Sequence, residues 1–171
     1  MKYNILNTLQ KSRSSGQPTV LLTDLESGVQ YLLPQGARST DPALSDGQTA
    51  ELAQALRQNR SRELTPGPDG RKYFAHVFNP PKRMIIIGAV HITQALYPMA
   101  AMLDFQVTVV DPREAWATDE RFPGVTLDRR WPDEALEALA VDRRTAIVTL
   151  THDPKLDDPA LEFALRSDAF Y

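Results

Sequence analysis

The sequence predicts an α/β protein made of two units, a small α+β unit followed by a unit built on a parallel β-sheet. In the first half of the chain, short alternating segments are separated by turns that contain Gly and Pro, whereas in the second half solid apolar runs alternate with helical patterns. Solid runs are typical of strands buried on both faces of a parallel sheet, and their alternation with helices is typical of β-α-β crossovers. The segment 79–81, Asn-Pro-Pro, lies where the pattern changes, so we predict one domain over residues 1–79 and a second over residues 80–171.

Composition restricts the classes of function. The chain has 171 residues, a formal net charge of −3 and no cysteine. The lack of cysteine excludes disulfides, a cysteine nucleophile and thiolate metal sites on this chain. No cluster of Lys and Arg marks a nucleic-acid-binding surface, and no apolar run approaches the roughly 20 residues that span a bilayer. The N-terminus lacks the apolar core of a secretory signal, so we expect a cytoplasmic protein that binds neither nucleic acid nor membrane.

The first half carries the signals of two helices and three strands. Apolar residues at helical spacing predict a helix over residues 3–13, and β-branched and apolar runs predict strands over 19–23 and 29–33. Asp46 is the predicted N-cap of a second helix, since aspartate is favoured at that position. The alternating residues 71–78 predict a third strand.

The second half alternates between strands and helices. We predict strands over residues 84–87, 105–110, 124–127 and 145–151, and helices over 91–103, 132–141 and 159–167. Asp158 and Pro159 match the preferences for the N-cap and the first helical position of the last helix. Ala169 would begin one more strand, but the chain stops three residues into it. We therefore expect a fragment of a longer product, with another copy covering the edge of the 145–151 strand.

Gly88 lies where the first buried strand turns into its helix, which is where Rossmann-like nucleotide-binding folds carry the pattern G-x-G-x-x-G. In that pattern the first Gly makes the tight turn, the second lets a pyrophosphate approach the backbone, and the third allows close helix–strand packing. The corresponding residues are Gly88, Ala89, Val90, His91, Ile92 and Thr93. Only the first Gly is present, and Val90 places a branched side chain where a phosphate would meet bare backbone, so the motif alone indicates nucleotide binding weakly.

Asp111 strengthens this indication. It ends the second buried strand 23 residues after Gly88, close to the spacing of about 20 at which an acidic residue binds a ribose hydroxyl. The alternative is a solvated loop aspartate. Arg113 suits an additional phosphate, or is simply solvated.

Thr151, His152 and Asp153 follow the last buried strand. In a sheet of order 3-2-1-4 this strand neighbours the 84–87 strand, so these residues would share one ligand crevice with Gly88. His91 and His152 would both face the crevice, where histidine can transfer protons or donate to an anion. The alternative is that His152 is exposed beside a turn capped by Asp153.

We predict cofactor-binding residues and neither a catalytic group nor a metal site, because two histidines without a third ligand do not make a metal site. The predicted residues are Gly88, Ala89, Val90, His91, Asp111, Arg113, Thr151, His152 and Asp153.

Four segments together resemble the XdhC/CoxI family of accessory factors for xanthine dehydrogenase and related molybdenum hydroxylases. They are residues 85–91 (IIIGAVH), 109–113 (VVDPR), 120–123 (ERFP) and 150–157 (LTHDPKLD). The resemblance covers residues 80–171, and the last segment is its most specific part. It implies a Rossmann-like domain that binds the molybdenum cofactor, protects it during maturation and passes it to the apo-enzyme of a molybdenum hydroxylase, as a chaperone and not as an enzyme.

The chain departs from the family pattern in three places. One is its end, because the sequence stops where the family pattern continues into a further strand and a Gly-Ser-Arg-Arg segment. The family usually has G-A-G-H where this chain has Val90 in place of the second Gly, and the first half lacks the Gly-rich, Cys-containing stretch of longer members. Two alternatives remain open: an NAD(P)-dependent oxidoreductase, since Rossmann folds serve both kinds of function, and an adaptor whose crevice is vestigial. We also expect a homo-oligomer.

Overall fold

The computed structural model describes residues 3–36 and 42–171. The chain divides into two compact units, Met1–Pro80 and Pro81–Tyr171. Each unit contains its own four-stranded sheet and its own buried apolar cluster. In the described part of the chain, no helix combines the length and the apolar character that crossing a membrane requires.

The first unit is an antiparallel sheet with two helices. Its elements are α1 (Tyr3–Ser14), β1 (Thr19–Asp24), β2 (Gln30–Pro34), α2 (Asp46–Gln58), β3 (Arg62–Glu63) and β4 (Tyr73–Phe78). The strand order is β2-β1-β4-β3, and every neighbouring pair is antiparallel. The predicted helices and strands of this half are confirmed. The two-residue β3 was not predicted, because a strand this short carries no recognisable alternation.

Ser45 caps helix α2, so the predicted N-cap at Asp46 is wrong by one residue. The hydroxyl of Ser45 accepts the N–H of Gln48 at 3.2 Å, and the side-chain oxygen of Gln48 accepts the N–H of Ser45 at 3.1 Å. This reciprocal pair is a capping box. Asp46 lies instead in the first turn of the helix, where its charge is favourable to the helix dipole.

The second unit is a parallel sheet with helices on both faces. Its elements are β5 (Arg83–Ile87), α3 (His91–Met102), β6 (Gln106–Val110), β7 (Thr126–Asp128), α4 (Pro132–Ala138), β8 (Thr145–Thr149) and α5 (Pro154–Arg166). The strand order is β7-β6-β5-β8 with every pair parallel, which confirms the predicted order 3-2-1-4. Val109 and Val110 belong to different buried clusters. Since successive strand residues point to opposite faces, both faces of the sheet are covered.

Helix α5 begins five residues earlier than predicted. Its N-cap is Asp153, which accepts the N–H of Lys155 at 3.0 Å, and Pro154 occupies the first helical position. The pair Asp-Pro occurs twice in this segment, and the prediction chose the second occurrence. Pro159 therefore lies inside the helix, where it has no N–H to donate. Helix α4 is also shorter than predicted and ends at Ala138.

Strand β8 forms one edge of the parallel sheet. Phe170 donates its N–H to the carbonyl oxygen of Thr145 at 3.0 Å, and Ile147 donates its N–H to that of Tyr171 at 2.8 Å. Residues 169–171 therefore pair with the first part of this edge, where a further strand was predicted, although they do not form a regular strand. Coverage of the edge by another copy stays a prediction.

Arg83 joins the first strand of this sheet to the end of helix α4. Its guanidinium donates to the carbonyl oxygens of Leu139 and Ala140 at 2.7 Å each and to the hydroxyl of Thr145 at 2.8 Å. The carboxylate of Asp142 lies 3.1 Å away. Carbonyl groups at the end of a helix have no partner within it, so Arg83 supplies the donors that they need.

We expect the substitution Arg83→Met to lower the free energy of unfolding by about 1–3 kcal/mol, because it keeps the aliphatic stem and removes the donors. Urea unfolding followed by circular dichroism measures this. The control is Arg143→Met. Because the side chain of Arg143 is 79% exposed, this substitution should change the free energy of unfolding by no more than about 0.5 kcal/mol. An equal loss in both variants would contradict the role assigned to Arg83.

Candidate functional site

The candidate site lies at the carboxyl ends of three neighbouring strands. β5 ends at Ile87 and lies between β6 and β8. The N–H of Gly88 donates to the carbonyl oxygen of Val110 at 2.8 Å, and the N–H of Leu150 donates to that of Ile87 at 3.0 Å. In open α/β sheets, ligands bind in the crevice beyond the carboxyl ends of the strands where the strand order reverses, and β5 and β8 meet at that point.

Gly88 allows the loops after β5 and β8 to approach closely. Its φ is +112°, a conformation that side-chain-bearing residues rarely adopt. A Cβ atom at this position would lie 2.6 Å from Cγ2 of Thr151. Gly88 thus makes the tight turn expected of the first glycine of the motif, and a side chain at this position would collide with Thr151 in the loop after β8.

Asp111 is completely buried, with 0% of its surface exposed, and its carboxylate is bonded within the protein. One oxygen accepts the N–H of Ala89 at 2.8 Å and Nη2 of Arg113 at 2.7 Å. The other accepts the backbone N–H and Nε of Arg113 at 2.9 Å each. Burial raises the pKa of Asp111, but the hydrogen bonds from Arg113 and Ala89 outweigh it and hold this pKa below its usual 3.8. Asp111 therefore joins the end of β6 to the turn after β5.

This arrangement bears on the predicted ribose contact. A ribose hydroxyl would have to displace Arg113 before it could reach the carboxylate of Asp111, because that side chain has no exposed surface. The side chain of Arg113 is a third exposed. Its pKa is raised chiefly by its hydrogen bonds to Asp111, with further contributions from the charges of Asp153 and Asp157. Arg113 is therefore the more accessible group of the pair.

The loop after β8 is held by Asp157, which is not among the predicted residues. The Asp157 carboxylate accepts the hydroxyl of Thr151 at 2.7 Å and the N–H of His152 at 2.8 Å. His152 has a φ of +57°, which is uncommon for a residue other than glycine, and its side chain is exposed. Backbone strain of this kind concentrates at functional sites. The last aspartate of the 150–157 segment was the available sequence signal.

Helix α3 begins at the crevice with Val90 as its N-cap, and no side chain caps it. The first turn contains no acidic residue. The first N–H groups of a helix have no carbonyl partner within it, and together with the helix dipole they attract anions. The hydroxyl of Thr93 donates to the carbonyl oxygen of Gly88 at 2.5 Å and fixes the helix to the turn. The start of α3 thus has the character of an anion-binding position.

Arg121 also fixes this turn, although no role was predicted for it. It donates to the carbonyl oxygens of Ala89 at 2.9 Å and of Trp116 at 2.7 Å. The guanidinium carbons of Arg113 and Arg121 lie 4.8 Å and 5.4 Å from the centre of a Trp116 ring. Trp116 is 43% exposed, so it contacts the two arginines at the surface and does not anchor the core. The available signal was the segment 120–123 of the family resemblance.

The predicted residues fall into two groups. Hydrogen bonds and close contacts connect Gly88, Ala89, Asp111, Arg113 and Thr151. Asp153 joins this group, because its N–H donates to the hydroxyl of Thr151 at 3.0 Å. The remaining predicted residues lie on the same loops: Val90, His91 and His152. Across residues 3–36 and 42–171, no three or more His, Cys, Asp or Glu side chains are placed to hold a metal ion. Ligand binding by all nine predicted residues stays a prediction.

We expect Asp111→Asn to lower the free energy of unfolding by about 1–3 kcal/mol at pH 7, because it leaves the donors of Arg113 and Ala89 poorly matched. The pKa of Asp111 in the folded state lies below its usual value. The contribution of this carboxylate to the free energy of unfolding is therefore complete above about pH 4 and is lost as the pH falls through the lowered pKa. Urea unfolding at pH 7, 5 and 3 should therefore show a difference between native and variant that persists at pH 5 and narrows toward pH 3. A difference that does not change with pH would contradict a charged, hydrogen-bonded Asp111.

Residues 84–171 match the model of the XdhC Rossmann domain. The whole chain is similar to the crystal structure of a xanthine dehydrogenase from Bacillus halodurans, with a TM-score of 0.68 and 18% identity over 98% of this chain and 50% of that chain. At this identity the likeness concerns the fold, and the chain spans about half the length of that structure. Curated proteins provide no match. Because the matched domain covers more than half of its residues and forms the parallel sheet with its crevice, this chain belongs to the XdhC family.

Proposed function

We propose that this chain is an accessory factor that holds the molybdenum cofactor for an enzyme of the xanthine dehydrogenase type and passes it to the apo-enzyme. Membership of the XdhC family and the likeness to a structure named xanthine dehydrogenase support a role connected with that class of enzyme. The observation that carries the binding role is the pairing of a partly exposed Arg113 with the uncapped, acid-free start of helix α3 beside the same buried carboxylate.

The phosphate group of the cofactor fits these residues. A phosphate at the start of α3 would meet the N–H groups of the first turn and the positive end of the helix dipole. Arg113 adds a guanidinium, which binds phosphate through two parallel hydrogen bonds when its geometry allows. The cofactor would supply the metal and pterin chemistry, whereas the residues of this chain would bind and orient its anionic end.

The buried carboxylate of Asp111 favours this ligand over a dinucleotide. Dinucleotide-binding folds use an acidic residue at this position to bind a ribose hydroxyl. Here the four hydrogen bonds from Ala89 and Arg113 occupy both oxygens. An NAD(P)-dependent oxidoreductase would have to rearrange this pair, while a ligand bound through phosphate leaves it intact.

Isothermal titration calorimetry with molybdenum cofactor, NADH, NADPH and CTP tests the proposal under reducing, anaerobic conditions. We expect binding of the cofactor and none of the dinucleotides. Arg113→Gln should weaken cofactor binding by about 10-fold or more, since hydrogen bonds to charged groups contribute about 1.5–3 kcal/mol.

Arg130→Gln is the matched control. Arg130 bonds to Asp128 at the end of β7 with the same geometry as Arg113 to Asp111, but β7 is not adjacent to β5. Replacing Arg130 should leave the affinity for the cofactor unchanged within about twofold. Preferential binding of NADH or NADPH would favour the oxidoreductase instead, and binding of none of the four ligands would favour the adaptor.

We expect Val90→Gly to raise the affinity for inorganic pyrophosphate several-fold, because it removes a branched side chain from the N-cap of α3 and opens the backbone to the anion. Val90→Ala is the control that shortens the side chain without adding the conformational freedom of glycine, and it should have an intermediate effect. Calorimetric titration measures both variants. An unchanged affinity in Val90→Gly would show that the phosphate does not bind at the start of α3.

A further inference from the structure

Helix α3 has an exposed apolar face in addition to the face that packs inside the unit. Thr93 and Ala100 are its buried residues. The exposed face, here called the α3 seam, consists of Ile92, Ala95, Met99 and Met102, and it continues into Leu103. The exposed fractions of the large side chains are 47% for Ile92, 57% for Met99, 78% for Met102 and 74% for Leu103.

The seam lies in a segment without any formal charge. Residues 84–103 contain no Asp, Glu, Lys or Arg. A surface helix of a globular protein normally carries charged residues on its outer face, and a helix that is apolar on all sides is normally buried. The outer face of α3 therefore has the composition of a buried surface.

The spacing of the seam is that of a helix–helix contact. Its four members follow one another at intervals of three, four and three residues, which is the spacing of the a and d positions of a heptad repeat. Ala95 is small and allows the backbone of a second helix to approach closely, while the methionines are flexible and fill irregular space. The preferred occupant of the seam is accordingly another apolar helix.

We propose that the α3 seam binds the same seam of a second copy of this chain, with the two helices antiparallel about a two-fold axis near residue 97. This register places Ile92 opposite Met102 of the second copy and Ala95 opposite Met99 of the second copy. Each small residue then faces a long one, as close packing requires. A two-fold interface brings the same surface together from both copies, and the seam is complementary to itself.

The absence of charge and the exposed area favour a second copy over a different protein. A charge-free face carries nothing to select a partner by opposite charge and causes no repulsion when it meets itself. At about 200 Å² for a fully exposed side chain of this size, the four large residues expose roughly 500 Å² in each copy, so a dimer would bury about 1,000 Å². This is the lower limit for a specific interface and corresponds to a reversible dimer.

Sedimentation velocity of the full chain over a concentration series tests the proposal. We expect a monomer–dimer equilibrium with a dissociation constant of about 1–50 µM. Met99→Glu should raise that constant by about tenfold or more, since it would bury a charge opposite Ala95. The control is Leu165→Glu on helix α5, because Leu165 is 87% exposed and lies outside the seam. A monomer at about 200 µM, or an equal effect of both variants, would overturn the proposal.

Cross-linking tests the register independently, because the chain has no cysteine of its own. A mixture of the Ala95→Cys and Met99→Cys variants, treated with a short bismaleimide, should give more cross-linked dimer than either variant alone. Leu165→Cys provides the level that random collision produces. A mixture that cross-links no better than Leu165→Cys would exclude the antiparallel pairing, and circular dichroism of each variant verifies its fold.

Discussion

The buried carboxylate of Asp111 is the interaction on which the crevice depends. Burial of an unpaired carboxylate costs several kcal/mol or more, so the fold must surround it with donors. Three of the four donors come from Arg113, two residues further along the chain, and the fourth is the N–H of Ala89 in the turn after β5. Because these donors lie on two different loops, one charge positions the ends of both strands.

The other contacts at the crevice follow from that position. Arg121 binds the carbonyl oxygen of Ala89, the residue whose N–H Asp111 accepts, so the peptide groups on either side of Ala89 are both held. The tight turn at Gly88 brings Thr151 into contact, and Asp157 in turn holds Thr151 and His152. The turn between β5 and α3 is thus constrained from the loops on both sides. A helix start that is held rigidly is preorganised for an anion, because no conformational freedom has to be lost on binding.

Much of the fold could be predicted from the sequence because it depends on patterns that repeat locally. The solid runs of β5, β6 and β8 and the helical spacing between them predict a parallel sheet, and the predicted strand order is that of Rossmann-type folds. The errors occurred where two residues compete for one role. Ser45 and Asp46 are both good N-caps, and Asp153–Pro154 and Asp158–Pro159 are both good helix starts, so the choice depends on tertiary contacts that a local pattern does not contain.

The sequence predicted where the site residues lie in the fold better than it predicted which groups they contact. Asp111 lies at the strand end where an acidic residue was expected, but its partner is Arg113, and no spacing rule distinguishes a carboxylate that binds ligand from one that binds its own chain. Arg121 acts through the backbone oxygen of Ala89, 32 residues away, and Asp157 acts through the hydroxyl of Thr151 and the backbone N–H of His152. Neither set of contacts leaves a periodic signal in the sequence.

The parallel sheet contains two Asp-x-Arg pairs. They show that the role of a residue depends on its place in the fold and not on the sequence motif to which it belongs. Asp111 with Arg113 and Asp128 with Arg130 have the same internal hydrogen bonds, and in both the arginine helps hold the pKa of the carboxyl below its usual value. Only the first pair follows a strand that neighbours β5, and only Asp111 reaches a turn outside its own loop. The second pair ends β7 at the opposite edge of the sheet, where the side chain of its arginine is 46% exposed. At the edge of the sheet, the Asp-x-Arg segment therefore makes only a local turn. At the point where the strand order reverses, the same kind of segment connects two loops, and this is the place where this fold class binds ligands.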